Sequence, residues 1–116
     1  MEEPIKGIIG EELSAVSFVC DYVEFHFNGQ IVRALTPPTV VNKSGSFTFP
    51  ETGSRDNLCF LIGNSVVSIS GEDGEDLFEM VFQSGEKVSI PLAHDKRTGP
   101  EAMHYVSLMD SISRYW

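Results

Sequence analysis

Two stretches of alternating apolar residues, each broken by a turn signal, constrain this chain more than anything else in it. The first is YVEFHFNGQIV, residues 22–32, and the second is LFEMVFQSGEKVSI, residues 77–90. In an extended chain successive side chains point to opposite faces, so Val23, Phe25 and Phe27 make one row while Glu24 and His26 point the other way. Asn28-Gly29 supplies the positive φ angles that a tight hairpin uses. In the second stretch Phe78, Met80 and Phe82 alternate, Ser84-Gly85 turns the chain, and Val88 and Ile90 bring it back to Pro91. A further strand signal precedes each hairpin. SAVSFVC places Val16, Phe18 and Cys20 on one face, with Asp21 at a turn, and SVVSIS stands ahead of the second hairpin.

A lone hairpin is marginal in water. Two three-stranded meanders with one greasy face each bury those faces on one another or on a helix. The pattern leaves open whether they share one sheet or build two. Between them, QIVRALT ends at Pro37-Pro38, since proline lacks the N–H a ladder needs. TVV and SFTF read as short strands about the Asn42–Gly45 turn. The best helix is SRDNLCFLIG, residues 54–63. Ser54 is placed to cap it, Asp56 suits the dipole, Leu58, Leu61 and Ile62 share a face, and Gly63 takes the left-handed stop. The expected fold class is therefore α+β and β-rich: two antiparallel three-stranded meanders packed with one short helix at about 54–63. The tail, residues 101–116, reads as extended at 103–106, with its end open between helix and strand. Trp116 is expected to pack down, because an exposed indole wastes a large apolar area.

The chain of 116 residues is expected to form one globular domain, residues 1–116. An apolar fraction of 41% with eight Phe supports a packed core and excludes disorder. No apolar run approaches the roughly 18 residues of a membrane span. The start, Met1-Glu2-Glu3-Pro4, is acidic where a signal peptide is basic, which points to a cytoplasmic protein. Cys20 and Cys59 lie apart in apolar runs and read as buried free thiols, neither a disulfide framework nor a CxxC pair.

Seventeen acidic residues against eight basic ones leave a formal charge of −9. That charge repels nucleic acid and anionic membranes and attracts a basic protein. The acids are uneven: Glu72, Asp73, Glu75, Asp76 and Glu79 crowd one segment. They form the candidate partner-binding surface, against the plainer reading of a solvated turn.

His26, His94 and His104 include no HExxH pair, and Glu101-x-x-His104 is half of a di-iron carboxylate set that needs a second pair on a helical bundle. The acidic run lacks the ligand spacing of an EF-hand. There is no G-x-S-x-G elbow, no Gly-rich phosphate loop and no basic aromatic stripe. Cys59 beside Phe60 is a dulled thiol if buried. The loop His94-Asp95-Lys96-Arg97 carries the charge to hold a phosphate or carboxylate, or is a solvated connection. No metal and no cofactor is expected, and the chain points away from an enzyme without excluding one. An alternative ligand site gathers Glu24, His26 and Arg33 on the outer face of the first hairpin, joined by His104 and Tyr105.

The runs IIGEELSAVSFVCDYVEFHFNG, RDNLCFLIGNSVVSI and GPEAMHYV resemble small stand-alone bacterial proteins of unknown function. The likeness spans most of the chain and carries no catalytic motif. It implies a β-rich α+β domain. Such proteins often lie beside polymorphic toxin genes, so the resemblance also implies an immunity role. The resulting expectation is a non-enzymatic acidic binding protein, an immunity or regulatory factor for a basic partner. A homodimer through an exposed strand edge is a related option. The alternative is a small-molecule or minor enzymatic site on the first hairpin face.

Overall fold

The structure is a computed structural model that describes residues 4–116. The acidic start, Met1–Glu3, lies outside the described residues. Ten strands follow in chain order: β1 (Ala15–Val19), β2 (Tyr22–His26), β3 (Gln30–Ala34), β4 (Thr39–Asn42), β5 (Gly45–Thr48), β6 (Val66–Ser70), β7 (Leu77–Phe82), β8 (Lys87–Pro91), β9 (Met103–Ser107) and β10 (Ile112–Tyr115). One helix, α1 (Ser54–Cys59), separates β5 from β6, and 3-10 turns occupy Pro4–Ile8 and His94–Lys96.

The two meanders are present and stand in different sheets. One sheet runs β1-β2-β3-β9-β10, the other β5-β4-β8-β7-β6. Each meander thus widens to five strands by an antiparallel pairing made at long range: β9 adds to β3, and β4 adds to β8. The inward rows are those of the alternation. Val23, Phe25, Val32, Ala34, Met103 and Tyr105 come from the first sheet, and Val40, Phe78, Met80, Phe82, Val88 and Ile90 from the second, all in one buried cluster. Facing sheets of this kind interleave their inner side chains in a single layer. Each fully buried Phe, Val or Ile there contributes about 1.5–3 kcal/mol relative to exposure. Leu58 and Leu61 of the helical segment, with Ile5, Ile8 and Leu13, close the cluster.

Local details depart from expectation where tertiary contacts take over. At the β2–β3 turn only Gly29 has positive φ, at 86°; Asn28 does not share it. The helix is six residues long, not ten. After Cys59 the backbone tightens to three-residue spacing, with the amides of Leu61 and Ile62 donating to the carbonyls of Leu58 and Cys59. The Gly63 amide then donates to Leu13 and the chain leaves for β6. Ile62 consequently faces solvent, while Leu58 and Leu61 remain buried. Ser54 does not cap the helix. Gly53 holds that position at φ 88°, and the Ser54 hydroxyl donates instead to the Glu51 carbonyl at 2.6 Å.

Both cysteines are exposed, not buried. Cys20 lies past the end of β1 in the turn, at φ 50°, and Cys59 points off the side of α1 opposite to its buried stripe. The tail forms two strands, β9 and β10, joined by a turn at 108–111. Trp116 packs down, leaving 8% of its surface exposed. Its backbone continues the pairing, with the amide donating to Met103 and the carbonyl accepting from Ala102. Among the described residues no helix is long and apolar enough to cross a membrane.

Candidate functional site

The outward side chains of the first sheet line up across it. The registers Ser17↔Glu24, Glu24↔Arg33, Arg33↔His104 and Tyr115↔His104 place one polar row over all five strands. Cross-strand neighbours lie about 4.5–5.5 Å apart at Cβ, so long side chains in such a row meet. Arg33 Nε donates to Glu24 Oε2 at 2.7 Å, and Arg33 NH1 reaches His104 Nδ1 at 3.0 Å. His26 Nε2 lies 3.1 Å from Glu24 Oε1 and 3.3 Å from the Ser17 hydroxyl. His104 Nε2 lies 2.9 Å from Glu101 Oε1.

A guanidinium only donates, so Nδ1 of His104 accepts and its proton sits on Nε2, donated to Glu101. Both Glu24 oxygens are likewise engaged. Burial pushes the Glu24 carboxyl upward, but the hydrogen bond and charge of Arg33, followed by those of His26, outweigh it and hold the group below its ordinary range. The aromatic flanks are Tyr115, edge-on to His104 with 4.6 Å between ring centres, and Tyr22, whose ring lies 5.9 Å from the Arg33 guanidinium carbon.

The four residues of the hairpin-face site, Glu24, His26, Arg33 and His104, are therefore brought together. Tyr105, grouped with them from sequence, is not. It sits one residue from His104 on a strand and so faces the core, where burial raises its phenol pKa. Ser17, Tyr22 and Tyr115 belong to the row without having been picked out. Tyr22 was legible, two positions before Glu24 in the same alternation. Ser17 and Tyr115 arrive through strand pairing, for which a single sequence carries no signal. Chemically, the row is a ladder whose donors and acceptors satisfy one another, and a ligand there has to exchange for one of these bonds.

The acidic segment divides. Asp73, Glu75 and Asp76 are exposed. Glu72 is partly withdrawn: its carboxylate lies 3.8 Å from Lys6 Nζ and its carbonyl accepts the Trp116 indole N–H at 2.9 Å. Glu79 stands on the outer face of the second sheet, accepting from the Ser89 hydroxyl at 3.2 Å and 4.0 Å from Lys87. The five acids thus form three free carboxylates between two tied ones.

The charged loop at 94–97 is not an open anion cradle. Arg97 Nε and NH2 donate to the Leu92 carbonyl, and NH1 donates to that of Pro100, so its guanidinium pins the chain. Glu101 and His104 do meet, yet no group of three metal-ligating side chains is assembled among the described residues. Compared with protein-family models, curated proteins and solved structures, the chain matches none of them.

Proposed function

We propose that this chain is a non-enzymatic acidic binding protein of the cytoplasm that docks a basic protein partner, in the manner of an immunity or regulatory factor. The observation that carries this reading is how the charges are used. Arg33, Arg97, Lys6 and Lys87 are each engaged with groups of the chain itself, whereas Asp73, Glu75 and Asp76 stand exposed on one loop. The full sequence carries a formal charge of −9, and three of its exposed carboxylates stand together on this loop. Such a field steers a basic partner and disfavours nucleic acid and anionic membranes.

The test is affinity capture from native lysate at low and high salt, followed by association kinetics of the recovered protein. The triple variant Asp73→Asn, Glu75→Gln, Asp76→Asn is expected to slow association and flatten its salt dependence. Unchanged kinetics would sink the steering role.

A second reading, a small-molecule site on the first hairpin face, is favoured by the convergence of Glu24, His26, Arg33 and His104. Their mutual satisfaction weighs against it. Saturable perturbation of the His26 and His104 ring signals by members of a small-molecule library would make it the better reading.

A further inference from the structure

One end of the sandwich gathers four connections: Cys20–Asp21 after β1, 35–37 after β3, 49–50 after β5 and 98–101 ahead of β9. Two hollows lie side by side there. The first, about 210 Å³, is walled by Tyr22, Thr98 and Pro100 and includes the acidic residues Asp21 and Glu101 in its lining. The second, about 250 Å³, shares Asp21, Leu35 and Thr98 with it and adds Pro37, Phe49 and Pro50. Both fall below the roughly 300 Å³ at which pockets for drug-sized molecules begin, and each suits a single side chain.

The two hollows differ in chemistry. The first counts two acidic residues and a tyrosine among its lining residues, and no cation. Of the nearby cations, Arg33 is engaged with Glu24 and His104 and Arg97 with backbone carbonyls, while Arg55 lies over the ring of Phe49, a wall of the second hollow, at 5.0 Å. Asp21 is exposed at the rim, and His104 takes Oε1 of Glu101, leaving Oε2 as a further acceptor. The second hollow is apolar but for Asp21, Thr98 and the Cys20 thiol.

We propose that this end of the sandwich grips a short peptide segment of the partner, with a lysine or arginine side chain at Asp21 and Glu101 and the adjacent apolar side chain against Leu35, Pro37 and Pro50. The assignment rests on the reading of a basic partner and adds where, and by which residue pair, that partner is held. Charge complementarity selects the occupant. Two acidic residues at a hollow repel an acidic side chain, and an uncharged one forgoes the attraction that a cation gains there.

The test is titration of the ¹⁵N-labelled protein with the capped dipeptide acetyl-Arg-Leu-amide at low ionic strength. The expected result is saturable shifts of the backbone amides of Asp21, Tyr22, Thr98, Gly99 and Glu101. The capped dipeptides Gln-Leu and Arg-Gly are expected to bind more weakly. Asp21→Asn, in an exposed turn, and Glu101→Gln should each weaken the Arg-Leu peptide roughly twofold to fivefold. No shift, equal shifts with the Gln-Leu peptide, or shifts scattered over 73–76 would overturn the proposal. Its failure is separable from that of the partner reading. A salt-sensitive partner that binds Asp21→Asn/Glu101→Gln as it binds the native chain removes the groove and leaves the reading. Peptide binding at the groove with no salt-sensitive partner recovered leaves the groove and removes the reading.

Discussion

The indole N–H of Trp116 donates to the carbonyl oxygen of Glu72 at 2.9 Å, so the end of the first sheet's edge strand holds the loop that carries the exposed acids. The Arg114 guanidinium carbon lies over the same indole, 5.0 Å from the ring centre. This contact joins the two sheets at the place where the second presents its charge. Trp116→Phe keeps most of the apolar area and removes the donor, and is expected to cost about 1 kcal/mol. Trp116→Ala is expected to cost about 3–5 kcal/mol, as for other buried aromatic truncations. Urea denaturation measures both. Amide exchange should quicken at 71–76 in Trp116→Phe, and unchanged exchange there would mean that the indole does not hold the loop.

The Glu24–Arg33 pair makes stability depend on pH with a definite sign. The folded carboxyl lies below its ordinary range, so the unfolded chain binds more protons as pH falls. The contribution is complete above the unfolded carboxyl range and is lost as pH drops through the folded one. The Glu24 side chain retains 14% exposure, which places the pair between surface bridges at about 0–1 kcal/mol and buried ones at about 3–5 kcal/mol. Glu24→Gln is therefore expected to lose about 1–2 kcal/mol at neutral pH. Its disadvantage should shrink in acid, read from denaturation midpoints across the pH series. A constant difference at every pH would refute the electrostatic account.

Gly71 opens the acidic loop at φ 83°, and a Cβ built there would collide with the Leu77 carbonyl. Gly74, at φ 103°, has open space around it. Alanine at either site meets the strain of a left-handed backbone, at least about 1 kcal/mol. Only Gly71→Ala also has to move the β7 backbone. The expected order is Gly71→Ala clearly below Gly74→Ala in thermal stability. Equal melting temperatures would mean that the close approach is relaxed in solution.

The two thiols give a direct check on the solvent-facing positions of Cys20 and Cys59. Both are expected to react with an aromatic disulfide reagent in the native protein, at rates near those of the urea-unfolded chain. Slow labelling that requires unfolding would restore the buried arrangement that their apolar neighbours suggest.

Much of the architecture was readable because strand alternation is a local signal. The inward rows Val23-Phe25-Phe27 and Phe78-Met80-Phe82 follow from period two alone, as do the outward Glu24 and His26. The misreadings came where a contact distant in sequence overrode a local preference. The α-helix gives way to three-residue bonds after Cys59 and Ile62 turns outward, although Gly63 does take the left-handed conformation, at φ 96°. Ser54, a good cap by type, is drawn to Glu51 instead. Cys59 sits among apolar neighbours in sequence, but a six-residue helix with one buried stripe leaves it on the far side.

By itself the sequence determined which residues face inward along each strand, where the hairpins turn and what net charge the surface carries, because each depends on side chains a few positions apart. The tertiary structure alone decided that β9 inserts beside β3 and β4 beside β8. Those pairings set Arg33 against His104, a separation of 71 residues, and Trp116 against Glu72, a separation of 44. Backbone hydrogen bonds between strands are the same for every side chain, so strand order emerges only when the whole core is closed at once.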